Sequence, residues 1–174
     1  IMLVAGEASG DQLGGRLMAA LKAKQDHIRF IGVGGPRMER EGLKSLFPMN
    51  EMSVMGLTEV VPHIPHLLKR ISQTADFAKS EKPDVVITID APDFSFRVGK
   101  KLKGKGIPLV HYVAPSVWAW REGRAKKIAG FLDHLLALLP FEPPYFEKEG
   151  LPTTFIGHSA VEERHDGDGE RFRT

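Results

Sequence analysis

The sequence predicts an α/β fold, a doubly wound parallel sheet of Rossmann-like type, and three observations carry that reading. Short apolar runs alternate with longer amphipathic ones through most of the 174 residues, the pattern of strands joined by crossover helices. The run VVITI at residues 85–89 is nearly continuous in apolar side chains, which suits a strand covered by helices on both faces. Glycine- or proline-bearing turns follow the strand candidates: AGEASGD at 5–11, GVGGPRM at 32–38 and DAPDF at 90–94.

In chain order, the first strand is expected over residues 1–5. Leu13, Leu17 and Leu21 then recur at helical spacing, with Met18 beside them. Ser9 and Gln12 have capping-box spacing, which makes Ser9 the expected cap of this helix. A strand over 28–33 leads to a short helix over 36–41. An apolar stretch over 57–68, interrupted by Pro62 and Pro65, runs into a helix expected over 64–80. The strand 85–89 follows, then a helix over 94–103 for which Asp93, directly before it, is the expected cap. Strand 109–113, helix 124–131, strand 135–139, helix 144–148 and strand 154–156 complete the series, with Pro143 and Pro144 suiting a helix start. The expected organisation is one domain over 1–158, with 159–174 beginning a linker to a second domain. The chain starts inside an apolar run and ends in the polar EERHDGDGERFRT, so the expectation is one part of a longer protein.

Composition narrows the function classes. The hydrophobic fraction of 42% and charged fraction of 26% are those of an ordinary globular protein. The chain has no cysteine, which excludes disulfides and thiolate metal sites and suits a cytoplasmic location. Its formal net charge of +2 gives no case for nucleic acid. No run has the length of a membrane span. The positive charge is uneven: Lys100, Lys101, Lys103 and Lys105 crowd one segment, and Arg121, Arg124, Lys126 and Lys127 another. These are either two solvated helix faces or a surface that meets phosphates or anionic lipid headgroups.

Ligands of doubly wound sheets bind outside the carboxyl ends of the strands, and the unusual residues gather there. AGEASGD places Gly6 and Gly10 before a helix N-terminus, a place suited to an anion or sugar hydroxyls, although a plain turn would need only one glycine. GVGGPRM invites a dinucleotide reading but has Arg37 where the fingerprint needs a third glycine. No Walker lysine follows any glycine cluster, so no nucleotide cofactor is expected. No His/Asp/Glu set has ligand spacing, so no metal is expected. HYVAPSVWAWREGR places Trp118 and Trp120 in a loop near Arg121 and Arg124, residue types that stack on sugars and pair with phosphates, or that simply pack under the loop. His111 is expected to pair within the sheet. Leu57, Val60, Val61, Ile64, Leu67 and Leu68 form either a core helix or an exposed apolar patch suited to a membrane surface. Asp90 has three readings: a helix cap, a ribose ligand or a general base.

AGEASGD, MSVMGLTEV, IDAPDF, YVAPSVWAW, PFE and FIGH occur in the order and spacing of lipid-A-disaccharide synthase, and the chain resembles the N-terminal, acceptor-side half of that GT-B glycosyltransferase family. The resemblance implies an inverting transfer of 2,3-diacylglucosamine from its UDP donor to the 6-hydroxyl of 2,3-diacylglucosamine 1-phosphate (lipid X). The product is a β-1,6 disaccharide 1-phosphate. It further implies Asp90 as the catalytic base. Glu7, Ser9, Gly10 and Asp11 are implied as cleft residues, with Met55, Gly56, Pro115, Ser116, Trp118, Trp120, Arg121 and Arg124 as further substrate contacts. The apolar residues from Leu57 to Leu68 align with a segment that meets acyl chains or the inner membrane, and a homodimer is an expectation for the complete enzyme. The chain departs from the usual pattern at Ala114, Ser95 and Ser159, where serine, asparagine and proline are common. The alternatives are another GT-B relative, such as a UDP-sugar epimerase with more acidic residues in its cleft, or a stand-alone lipid- or sugar-binding module.

Overall fold

The structure is a computed structural model that describes residues 1–52, 57–117 and 123–158, with the side chains of 57–63 left aside. Six parallel strands form one sheet in the order β2-β1-β3-β4-β5-β6. They are β1 (Met2–Ala5), β2 (Ile31–Val33), β3 (Val86–Ile89), β4 (Leu109–Tyr112), β5 (His134–Ala137) and β6 (Thr153–Phe155). Among the described residues the α-helices are α1 (Ala8–Lys24), α2 (Pro36–Arg40), α3 (Leu57–Glu81), α4 (Pro92–Leu102), α5 (Gly123–Ala129) and α6 (Pro143–Glu147). All six expected strands are present: β1 to β4 are trimmed at one end, while β5 and β6 begin one residue before their expected starts and end short of their expected ends.

The sheet's alternation of side chains builds two cores. Met2, Val4 and Val86 face a layer that includes Ile71 and Ala75 of α3, Val98 and Leu102 of α4, and Ile128 of α5. Leu3, Ala5, Ile87 and Ile89 face Leu13 and Met18 of α1 and Met38 of α2. Burial on both faces is why VVITI lacks polar alternation.

α3 differs from expectation at its start. It begins at Leu57 rather than Ile64 and continues through Pro62 and Pro65, each of which lacks the N–H for one helical bond. Ile71, Ala75 and Ala78 fall on one helical face and are fully buried. Glu51 anchors the N-terminal half: it accepts from Arg70 Nε at 2.7 Å and lies 2.6 Å from His66 Nε2. Among the described residues, no helix is long and apolar enough to cross a membrane.

Strand order sets the position of any ligand. From β1 the chain crosses to β2 on one side, and later enters β3 on the other side of β1. The crossovers on either side of this boundary diverge, opening a crevice at the carboxyl ends of β1 and β3. The turns that follow those strands are Gly6–Glu7 and Asp90–Ala91.

Candidate functional site

The two turns are held together by close backbone approach. A Cβ on Gly6 would lie 2.7 Å from the Ala91 Cβ, and one on Gly10 would lie 3.0 Å from the Ile89 carbonyl oxygen. Glycine at these positions lets the β1 turn and the first turn of α1 press against the end of β3. Gly10 is therefore buried against the sheet, not presented to the cleft as expected.

That contact brings Ser9 to Asp90. Ser9 Oγ donates to Asp90 Oδ2 at 2.7 Å across 81 residues of sequence, bridging the crevice at the strand-order boundary. The expected cap role for Ser9 is corrected here. The N-cap of α1 is the exposed Glu7, with no side-chain capping bond, and Ser9 lies within the first turn. Its hydroxyl is thereby directed to a neighbouring strand end instead of its own helix.

Asp11 is corrected more fully. It is 3% exposed, and its carboxylate caps a different helix. Oδ1 accepts from the Gly35 and Met38 amides at 2.8 and 3.0 Å, and Oδ2 accepts from the Arg37 amide at 3.0 Å. These are the orphan donors at the start of α2, whose own N-cap Gly35 has no side chain to serve them. Asp11 fastens α1 to α2.

Asp90 sits in left-handed backbone conformation, with φ of +54°, and Ala91 follows at +44°. Across the cleft Val113 has φ of +86°, a conformation a β-branched residue adopts only under constraint. The constraint on Asp90 is visible. Its amide donates to the Tyr112 carbonyl at 3.0 Å, and its carbonyl accepts from Ser95 Oγ at 2.7 Å. Ser95 supplies this bond through its side-chain hydroxyl. The expected cap role for Asp93 is also corrected. The N-cap of α4 is Ala91, whose carbonyl accepts from the Phe94 and Ser95 amides. Asp93 is an exposed residue of the first turn, placed to interact with the helix dipole.

The half-buried Asp90 lines a cleft of about 430 Å³ with Pro92, Val113, Ala114, Pro115, Ser116 and Arg124. Pro115, Ser116 and Arg124, expected as substrate contacts, line the same cleft as Asp90. The Arg124 guanidinium lies 5.6 Å from the centre of the Phe96 ring. Met55, Gly56, Trp118, Trp120 and Arg121 lie outside the described residues. Asp90 Oδ1 makes no hydrogen bond among the described residues, so one carboxylate oxygen is oriented by Ser9 and the other is uncommitted. A fixed carboxylate of that kind can accept a proton from a hydroxyl seated in the cleft.

Behind the cleft is His111, 1% exposed. Its Nδ1 pairs with Thr88 Oγ1 at 2.8 Å across the β3–β4 register, while Nε2 is buried with no hydrogen-bond partner among the described residues. The Phe96 ring packs against it with centroids 4.7 Å apart. Burial pushes its pKa down to about 4, against the opposing pull of the Asp90 charge. His111 is therefore neutral at pH 7.

On α3, Ile64 and Leu68 are exposed at 42% and 45%. Leu67 is half-buried and packs against the core beneath, which separates it from the expected patch. The side chains of Leu57, Val60 and Val61 lie outside the description, as does the whole of 159–174.

A family model described as lipid-A-disaccharide synthetase matches residues 1–172. The chain is 62% identical over 177 residues to lipid-A-disaccharide synthase of Rhodospirillum centenum, covering 99% of this chain and 44% of that protein. It is 57% identical to the synthase of Ruegeria pomeroyi, covering 94% of this chain and 41% of that one. The chain thus spans less than half the length of these curated relatives. Among solved structures it is similar to UDP-GlcNAc 2-epimerase from Neisseria meningitidis bound to UDP-GlcNAc, with a TM-score of 0.62 and 14% identity. That likeness covers 92% of this chain and 46% of the epimerase, and at such low identity it shows the fold alone.

Proposed function

The chain belongs to the lipid-A-disaccharide synthetase family, and on that premise we propose that it forms the acceptor-side domain of an inverting glycosyltransferase. The donor is a UDP-linked 2,3-diacylglucosamine, and the acceptor is 2,3-diacylglucosamine 1-phosphate. The acceptor 6-hydroxyl attacks the donor's anomeric carbon as the bond from that carbon to the diphosphate oxygen breaks. Asp90 takes the hydroxyl proton, UDP departs, and the α-linked donor becomes a β-1,6 disaccharide. Inversion in a single displacement requires one base on the attacking oxygen, and the observation that carries this reading is Asp90 oriented by Ser9 at the mouth of the cleft. Stabilisation of the leaving diphosphate falls to the part of the relatives that this chain does not span.

The exposed Ile64 and Leu68 on α3 support contact with acyl chains or with the inner-membrane surface from the cytoplasmic side. Homodimerisation of the complete enzyme belongs to the same proposal and rests on family membership alone.

Asp90→Asn in the complete enzyme tests the base. Asparagine tolerates left-handed backbone, so folding and donor binding should persist while kcat falls by roughly two orders of magnitude or more. Ser9→Ala should lower kcat by a smaller factor, roughly tenfold, with little change in KM. Near-normal turnover of Asp90→Asn would remove Asp90 from the chemistry.

A further inference from the structure

The two basic segments of the sequence converge in space. Between α3, α4 and α5 runs a groove of about 910 Å³ lined by Arg97, Lys100 and Lys101 from α4 and by Arg124 and Lys127 from α5. The spacing of 97, 100 and 101 places three cations on one face of α4, and 124 and 127 are likewise one turn apart on α5. Asp93 is the acidic residue of the lining. No ion pair joins any of the five cations to a carboxylate among the described residues. Two of them instead lie over rings: Lys100 Nζ is 5.8 Å from the Phe131 centroid, and Arg124 is 5.6 Å from that of Phe96. Phe96, Phe131 and the exposed Leu68 give the groove an apolar component.

The groove and the Asp90 cleft share Pro92 and Arg124, so a ligand whose hydroxyl meets Asp90 can extend into the groove without leaving the protein surface. We propose that this groove is the subsite for the phosphate monoester of the acylated acceptor sugar, held by Lys100, Lys101 and Lys127 with Arg97 and Arg124 at its sides. The assignment rests on the glycosyltransferase reading, since Asp90 defines which substrate lies alongside. Charge complementarity selects the occupant: five cations on an apolar floor fit a phosphate that is carried on an acylated sugar. Lys103, Lys105 and Lys126 belong to the same basic segments but do not line the groove. The site is therefore narrower than the charge runs suggest.

The test uses the complete enzyme in neutral detergent micelles, with lipid X and with the same acceptor lacking its 1-phosphate. For Lys100→Ala with Lys127→Ala, KM for lipid X should rise roughly tenfold or more, with kcat and donor KM unchanged. KM for the phosphate-free acceptor should stay the same. Lys105→Ala with Lys126→Ala should match the wild type, and Lys100→Arg with Lys127→Arg should recover most of the loss. Equilibrium binding of lipid X without donor should weaken by the same factor, which reads the groove independently of transfer. An equal KM rise for both acceptors, a rise in donor KM, or an equal effect of the control pair would overturn the assignment. Wild-type enzyme that binds lipid X through the groove yet forms no disaccharide would instead overturn the glycosyltransferase reading.

Discussion

Replacing His111 by asparagine should remove a large part of the protein's acid sensitivity. In the folded chain the imidazole pKa is displaced from 6.5 to about 4, chiefly by burial. Between those values the unfolded chain carries a proton on His111 that the folded chain lacks, so unfolding takes up a proton. Stability then rises with pH through this window and is lost as pH falls from about 6.5 toward 4. At about 1.4 kcal/mol per pH unit, the loss attributable to His111 is about 3 kcal/mol. Asparagine is small enough for the space beside Phe96 and offers Thr88 Oγ1 a polar partner, but it does not titrate. The assay is urea unfolding of wild type and His111→Asn from pH 7 to 4, followed at β3 and β4 amides by hydrogen exchange. Contributions from other carboxylates and histidines cancel in the difference between the two profiles. The wild type should lose about 3 kcal/mol more than the variant, and an imidazole NMR titration should give a midpoint near 4. Parallel stability profiles, or an imidazole that titrates near 6.5, would refute the account of a buried neutral histidine.

Two further outcomes follow from the geometry. Asp11→Ala should destabilise the fold by about 3 kcal/mol, because it leaves the Gly35, Arg37 and Met38 amides without their acceptor. In a chain of this size that lowers Tm by about 10 °C, and a loss under about 1 kcal/mol in a melt would mean that water or another group replaces the carboxylate. Ile64→Ser with Leu68→Ser should weaken sedimentation of the complete enzyme with anionic phospholipid vesicles without lowering Tm, since both side chains are exposed. Unchanged sedimentation would dissociate α3 from the membrane.

The sheet was legible because parallel strands buried on both faces leave unbroken apolar runs, as in VVITI. Asp90 was legible as a carboxylate at the end of such a run. The capping assignments were not, and each failed for a local reason. Ser9 and Asp93 have the residue types of caps, yet both lie within the first turns of their helices, behind Glu7 and Ala91. Capping preference is a short-range signal, and here it competed with contacts spanning tens of residues. Asp11 shows the same limit from the other side, since nothing near it in sequence announces that it serves the amides of residues 35 to 38. The lysine and arginine clusters were visible as two separate segments, but their convergence depends on α4 and α5 lying beside one another. Arg97, apart from both runs, gave no sign that it belongs with them.

The left-handed conformations of Asp90, Ala91 and Val113 carry a consequence for how this sequence can change. Each costs on the order of 1–3 kcal/mol in a non-glycine residue, and glycine would relieve it. Selection for thermostability alone would therefore drive substitutions toward glycine at the very positions that frame the cleft, and at residue 90 would delete the carboxylate. Laboratory evolution under heat without an activity screen should yield stable, inactive variants altered here first. The mouth of the cleft is thus where robustness and turnover pull the chain in opposite directions.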